Sequence, residues 1–427
     1  MIKRTTSLTV LFVLTIICLI TAVPVPSRAQ TDIHLQTEKS GGGRIPIVVM
    51  DISTSDQTAL GTAEYVSRIL RQDLEFTDIF EPLRIQGPAG TLPDGMTATA
   101  IVEAVLSRDS GSFVLETRLL DYTSREEIFS KRYRFTTGAR RTVAHHICDE
   151  ILFFLVGETG ISTTRILFTR RENDVKNLYL IDFDGYGERR ITKDELVVSP
   201  LWLDYQRFCF TSYRRDNPDC YLIDLEKNTR TNISHRKGMN VAGGYFPERD
   251  EIAMTLSLRG NSEIYLVASD GRIIKRLTSN RAIECSPSWS PNGRELVFVS
   301  DRSRVPQLYV MDSYGGNVRR LTSSGNYNTS PAWSPGGDLI AYVSREGWLY
   351  RLRLISPDGL WEQTVFDDYF SYEDPCWAPD GRHIAVTVKY GDTPWIVVVD
   401  IETGRKRKLA PGEMADWSPL SSGGDTP

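Results

Sequence analysis

The chain reads as an all-β six-bladed β-propeller preceded by a small α/β domain, and three repeating registers predict it. The first is a Pro-x-Trp-Ser-Pro core followed by a Gly turn and an apolar run: ECSPSWSPNGRELVFVS at 284–300 with Trp289, TSPAWSPGGDLIAYVS with Trp333, EDPCWAPDGRHIAVTV with Trp377. Worn copies place Trp202 in SPLWLDYQRFCFTS, Tyr245 in GGYFPERDEIAMTL and Trp417 in ADWSPL, so successive positions lie 43, 44, 44, 44 and 40 residues apart. The second register is LYLIDFDG, CYLIDLEK, IYLVASDG, LYVMDSYG, LRLISPDG and IVVVDIET, each a short apolar run closed mostly by Asp or Gly, the pattern of a buried strand and its turn. The third, RRIT, KRLT and RRLT from 189, 275 and 319, supplies a polar edge strand. Four strands in a period of ~40–45 residues make one propeller blade.

The ends of the array predict how the ring closes. The first copy has only three strands (166–169, 178–182 and 189–192), and the last leaves the strand around Trp417 without a blade. Joining the two completes six blades over 161–420 and removes the free sheet edges that would template aggregation.

Upstream, Lys3 and Arg4 precede an apolar stretch at 8–23 that ends in Pro24 and Pro26, with Ser27-Arg28-Ala29 behind it. That is the pattern of a secretory signal peptide over 1–29 rather than of a membrane anchor. Residues 30–43 hold one alternating piece, Asp32-Ile33-His34-Leu35-Gln36, and a Gly41-Gly42-Gly43 hinge. Two apolar residues beyond a hinge bury little, so the segment reads as a frayed terminus or as a detachable strand able to join a partner's sheet edge. Over 44–160 the order β-α-β-β-β-α indicates a compact α/β sandwich. It contains a strand from 45, a helix over 57–74 capped by Ser55 or Asp56, strands at 98–106, 112–121 and 125–134, and a helix facing Val143, Ile147, Ile151 and Phe154 inward. Residues 421–427 are expected to be a disordered tail.

Composition excludes several classes. At 41% apolar and 25% charged the chain is an ordinary globular one, and a net charge of −5 without a basic cluster argues against nucleic acid. Cys148, Cys209, Cys220, Cys285 and Cys376 remain after the leader, an odd number; Cys209 and Cys220 fall on adjacent predicted strands, which leaves a disulfide open there. His34, His145, His146, His235 and His383 are scattered without zinc-site spacing. No G-x-S-x-G elbow, P-loop or G-x-G-x-x-G occurs, so no catalytic, metal or cofactor residues are expected. The repeat residues Trp202, Tyr245, Trp289, Trp333, Trp377 and Trp417 are architectural on this reading, packing between blades.

Function should sit on loops presented by the scaffold. The connections from one blade's outer strand to the next blade's inner strand are 197–200, 239–243, 281–286, 327–330, 371–374 and 413–416, and they open on one face around the central channel. They mix acids (Glu284, Glu373, Asp374, Asp416) with amides (Asn240, Asn326, Asn328), Thr329 and nearby arginines. Such a face suits a protein partner better than an uncharged small molecule. A propeller enzyme fragment, or a sensor holding a sugar or peptidoglycan fragment in the channel, are the rival readings.

A leader, an α/β domain opening RIPIVVMDI with a helix ending SRILRQDLEFTDIFEPL, and six SPxWSPxG-type repeats together resemble the TolB family of the Tol–Pal envelope system. The likeness covers 44–420. The repeat alone also occurs in prolyl-oligopeptidase-type peptidases and some lyases; the domain before it is the more specific part. Two blades depart from the pattern, with Tyr245 in a Trp slot and Trp202 followed by Leu-Asp-Tyr-Gln. The resemblance implies a periplasmic, cofactor-free, non-enzymatic adaptor that is not inserted in a membrane once its leader is cut. It implies that the propeller face binds the lipoprotein Pal of the outer membrane, with other outer-membrane proteins as further partners. The segment Asp32, Ile33, His34, Leu35, Gln36 would engage TolA of the inner membrane. By resemblance, Pro200, Ala242, Cys285 and Ser286 inherit the Pal-binding role; Asn240, Glu284, Asn328, Thr329, Glu373 and Asp374 complete the expected face. The implied role is outer-membrane integrity and envelope constriction at division.

Overall fold

A computed structural model describes residues 43–85 and 97–421. The leader, the 32–36 segment, most of the Gly hinge and residues 422–427 lie outside the described residues. Among those described, no helix is long and apolar enough to cross a membrane.

The α/β domain begins with β1 (Ile45–Val49) and α1 (Leu60–Phe76), entered through a 3-10 turn at Gln57–Ala59. Asp56 caps that turn by accepting the Thr58 amide at 2.8 Å, which satisfies a donor the helix start leaves open. Then follow β2 (Phe80–Leu83), β3 (Ala100–Asp109), β4 (Ser112–Asp121), β5 (Glu127–Phe135) and α2 (Arg140–Val156). The sheet order is β2-β1-β3-β4-β5, with β1 parallel to both neighbours and the rest antiparallel. Both helices bury their apolar faces on one side of it, Val66, Leu70 and Leu74 of α1 meeting Val143, Ile147 and Ile151 of α2.

Two expectations are corrected. β2 is an extra strand: its four residues include Pro82 and carry no alternation, and it forms because β1 offers a parallel edge with Ile45 opposite Phe80. Phe154 is 47% exposed, stacked on Phe129 at 4.8 Å, while Leu152 and Leu155 fill the core. α2 ends at Gly157, whose φ of 77° suits glycine and whose N–H bonds Phe153 O at 2.8 Å.

Six four-stranded sheets form the propeller. Blade 1 joins Glu413–Trp417 to Arg165–Glu172, Val175–Asp182 and Arg189–Arg190. The inner strands of blades 2 to 6 are Val197–Trp202, Asn240–Phe246, Glu284–Trp289, Asn328–Trp333 and Tyr372–Trp377. The ring therefore closes through an antiparallel pair, Trp417 opposite Ile166, and Trp417 Nε1 donates to Thr164 Oγ1 at 2.7 Å.

The repeat aromatics sit at the far end of each inner strand. Trp202, Trp289, Trp333, Trp377 and Trp417 are at most 8% exposed. Several tie one blade to the last: the Trp333 amide donates to Ser288 Oγ (3.0 Å) and Trp377 Nε1 to Ala332 O (3.0 Å). Tyr245 donates to Asp250 of its own blade and also meets Arg207 of the blade before it. Cys209 and Cys220 are buried free thiols. Their strands are adjacent, but Cys209 lies opposite Leu222 and Cys220 opposite Thr211, so the two are diagonal neighbours.

Candidate functional site

The inner strands line a central channel of about 520 Å³. Each of the six carries a register shift against its neighbour near the channel mouth, where one extra residue is accommodated as a bulge. In five blades that residue is left-handed without being glycine: Ser199 (φ 49°), Ser286 (51°), Ser330 (51°), Asp374 (50°) and Met414 (56°). Blade 3 has Gly243 there. All six line the channel. A non-glycine residue in this region costs about 1–2 kcal/mol, and such strain concentrates where a surface must be held in one shape.

Buried polar locks fix the connections around the mouth. Glu284 accepts from Asn280 (2.8 Å), Ser300 (3.0 Å) and Arg302 (2.9 Å). Asn240 donates to the Arg236 and Gly238 carbonyls, and Asn328 donates to Gln307 Oε1 and to Ser324 O. All three side chains belong to residues with no exposure, so they hold the loops and present nothing outward. This corrects their placement on the partner face: polarity in a connection does not reveal which way a side chain turns.

The remaining expected face residues lie at the mouth. Pro200, Ala242, Ser286 and Asp374 line the channel, with Cys285, Thr329 and Glu373 half-buried beside it. Glu373 pairs with Lys389 at 2.9 Å, and Glu413 with Lys176 at 2.8 Å. Burial, with Glu373 and Glu413 nearby, pushes Asp374 up to about 6. Asp416 is pushed up by burial to about 7, although it accepts the Trp202 amide at 2.6 Å. Burial likewise raises the Cys285 thiol. The sequence placed Ser199, Ser330 and Met414 in connections that open around the channel but did not single them out as lining groups. The Ser-Pro step repeated at 199, 286 and 330 was a legible signal for two of them.

Among the described residues one cluster brings three potential metal ligands within 4.8 Å of one another: Asp78, His383 and Asp400. It lies away from the channel, between the α/β domain and blade 6. Arg44, Arg405 and Arg407 bind Asp78, and Arg382 binds Asp400, so both carboxylates already hold cationic partners.

Comparisons with known proteins bear on this arrangement. The family described as the TolB beta propeller domain matches residues 154–421. The Tol-Pal system protein TolB of Desulfosudis oleivorans is 32% identical over 265 residues, 58% of this chain and 60% of that protein. That of Nitrosomonas europaea is 30% identical over 227 residues, 51% of this chain and 52% of that protein. The chain thus spans little more than half the length of the curated relatives it matches, and their printed names denote no enzyme. The crystal structure of TolB from Acinetobacter baumannii shares the fold, with a TM-score of 0.77 at 23% identity over 88% of this chain and 98% of that one. With the α/β domain in front of six blades and the propeller matched from end to end, the chain belongs to the TolB family.

Proposed function

We propose that the chain is a periplasmic, non-enzymatic component of the Tol-Pal system that works as an adaptor. The channel-mouth face binds the lipoprotein Pal, and the 32–36 segment engages TolA. Through these two contacts the chain serves outer-membrane integrity and constriction at division. The observation that carries the reading is the ring of bulges at the mouth: six blades each place one bulge residue on the channel, five of them in strained left-handed backbone, with half-buried polar groups beside them. A preformed surface of this kind suits a folded partner, because little ordering is left to be done on binding. Pro200, Ala242, Cys285, Ser286, Thr329, Glu373 and Asp374 form the face; Asn240, Glu284 and Asn328 shape it from beneath.

Calorimetric titration of residues 30–427 with the periplasmic domain of Pal from the same organism tests this. A one-to-one complex of micromolar or tighter affinity is expected, weakened about tenfold or more by Glu373→Lys, which places like charge beside Lys389. Glu284 is not a suitable position for the reversal, since a buried lysine there would unfold the loop. The absence of heat at ~100 µM protein would overturn the reading, because a micromolar complex is plain at that concentration. The channel volume falls in the range of small-ligand pockets, roughly 300–1,000 Å³. The second reading is therefore a sensor of a sugar or peptidoglycan fragment, and a thermal shift with muropeptides would support it.

A further inference from the structure

The mouth end of the ring differs from one side to the other. In each blade the turn between the second and third strands projects there, because the second strand runs back towards the mouth. Asn328, for example, lies opposite Ser344, and Tyr372 opposite Val388. Blades 2, 3 and 4 carry loops at 213–218, 257–262 and 301–306, which expose Arg214, Arg215, Arg259 and Arg304. Blades 5, 6 and 1 have two-residue turns instead: Gly347-Trp348, Gly391-Asp392 and Asn173-Asp174. The first residue of each is left-handed, with φ of 61°, 64° and 54°, which glycine and asparagine readily supply. The second position asks nothing of its side chain, and two of the three turns hold Asp there. Blade 5 holds Trp348, which is 93% exposed.

Trp348 belongs to an aromatic sector. Tyr350, on the same hairpin, stands edge-on to Tyr327 in the connection entering blade 5, with ring centroids 6.4 Å apart. Its amide donates to Ser371 Oγ at 3.2 Å, which ties the hairpin to the connection entering blade 6. In that connection Tyr369 is 95% exposed, and Phe370 packs on Tyr390 at 4.9 Å. Asp368 holds the connection in shape: it accepts the Phe370 amide (3.0 Å) and the Tyr372 hydroxyl (2.6 Å) and pairs with Lys406. The sector runs directly into the face described above. Tyr327 comes two residues before Thr329, and Tyr390 follows Lys389, the partner of Glu373.

We propose that this sector is the apolar anchor of the mouth face and seats the same folded protein partner. Trp348 and Tyr369 enter apolar pockets on that partner, while the arginines of blades 2 to 4 face its acidic groups. The inference rests on the reading that the mouth face binds a folded protein. Trp348 serves neither its turn nor the core, so its contact lies outside the chain. Tryptophan, tyrosine and arginine are the side chains that dominate the energetics of protein interfaces. Two nearly fully exposed rings offer roughly 300–500 Å² for burial. A stable interface needs about 800 Å² per partner, so the sector completes one only together with the adjoining mouth. That area is the reason to assign both to a single occupant. The tight turn under Trp348 and the Asp368 bonds around Tyr369 fix the backbone beforehand, which lowers the ordering cost of binding. Rings on one half and arginines on the other then set the partner's rotation about the channel axis.

Binding kinetics of residues 30–427 with the periplasmic domain of Pal from the same organism, at low and high salt, test this. Trp348→Ala is expected to weaken the complex about thirtyfold and Tyr369→Ala about tenfold, chiefly through faster dissociation. Trp348→Phe keeps a ring and should stay within about threefold of the parent. Arg214→Gln with Arg304→Gln should instead slow association about tenfold at low salt and flatten its salt dependence. Trp348 and Tyr369 are exposed, so the Tm of these variants should match the parent's. Binding that survives Trp348→Ala with Tyr369→Ala unchanged would overturn this inference and leave the mouth-face reading standing. No binding by the parent chain would overturn both. Self-association in sedimentation velocity that Trp348→Ala abolishes, with Pal binding intact, would overturn the inference by giving the sector to a second copy. A muropeptide-induced thermal shift abolished in the same way would give it to a glycan.

Discussion

Asp416 shows how much one position in the ring can carry. It sits on the inner strand that closes blade 1 and accepts the amide of Trp202 in blade 2, and burial pushes its carboxyl up to about 7. A raised folded-state value means that the folded chain binds more protons than the unfolded chain between about pH 4 and 7. The stability that this proton supplies is present in full below about 4 and is lost as the pH rises through about 7. Thermal denaturation should therefore give a lower Tm at pH 8 than at pH 6. Asp416→Asn keeps an acceptor for the Trp202 amide without a charge, and it should raise the Tm at pH 8 and flatten the dependence. Asp374 and Asp149, each pushed up by burial to about 6, act in the same direction and leave a residual slope. None of this was legible from sequence, where Asp416 is one of several acids in connecting loops. Glu284, Asn240 and Asn328 show the converse, since they read as surface groups and prove to be internal locks.

Among the elements, the turn that follows each blade's third strand sets how closely the blades stack. Gly271 and Gly315 have φ of 89° and 85°, and a Cβ on either would come 2.3 and 2.4 Å from the Ile233 and Leu277 carbonyl oxygens of the preceding blade. Gly260 has a similar φ of 85° with open space around it. The three positions separate two effects. Gly260→Ala should cost about 1 kcal/mol from backbone strain alone. Gly271→Ala and Gly315→Ala should each cost more, by about 1–3 kcal/mol, because backbone of a neighbouring blade must move. Urea unfolding of the three variants checks the order. The blades themselves were plainly legible, because apolar runs, Asp/Gly punctuation and a nearly fixed period recur around the ring and agree. β2 was not: a four-residue strand with a proline has no pattern of its own and exists through its partner. Phe154 was misread because Leu155 offers an equally apolar neighbour one position on, and only packing decides between them.

At the scale of the whole molecule the decisive contacts join residues far apart in the chain. Arg407 reaches the carbonyls of Glu75 and Phe76 at the end of α1 as well as Asp78, a separation of about 330 residues. Contacts of that span leave no trace in local pattern, which is why the seam between the α/β domain and the propeller escaped the sequence while the ring did not. The family resemblance supplied the domain order and the partners to expect, but not the geometry between domains. Closure of the ring depends on the Trp417 strand, so Trp417→Ala should cost about 3–5 kcal/mol as a buried aromatic is truncated. It should also free the edge strand Arg165–Glu172 for pairing with other chains. Chemical denaturation measures the first effect, and light scattering against protein concentration measures the second.

The bond between Trp417 and Thr164 spans 253 residues, and that fixes when the propeller can come into being. Blades 2 to 6 can each be assembled from neighbouring sequence, whereas blade 1 cannot exist until the strand Glu413–Trp417 has been made and brought back to Arg165–Glu172. Until then the chain is an open arc with two unsatisfied rims. Closing so long a loop is slow relative to local hairpin formation. A polypeptide built this way stays threadable for most of its synthesis and locks only once its last strand is delivered.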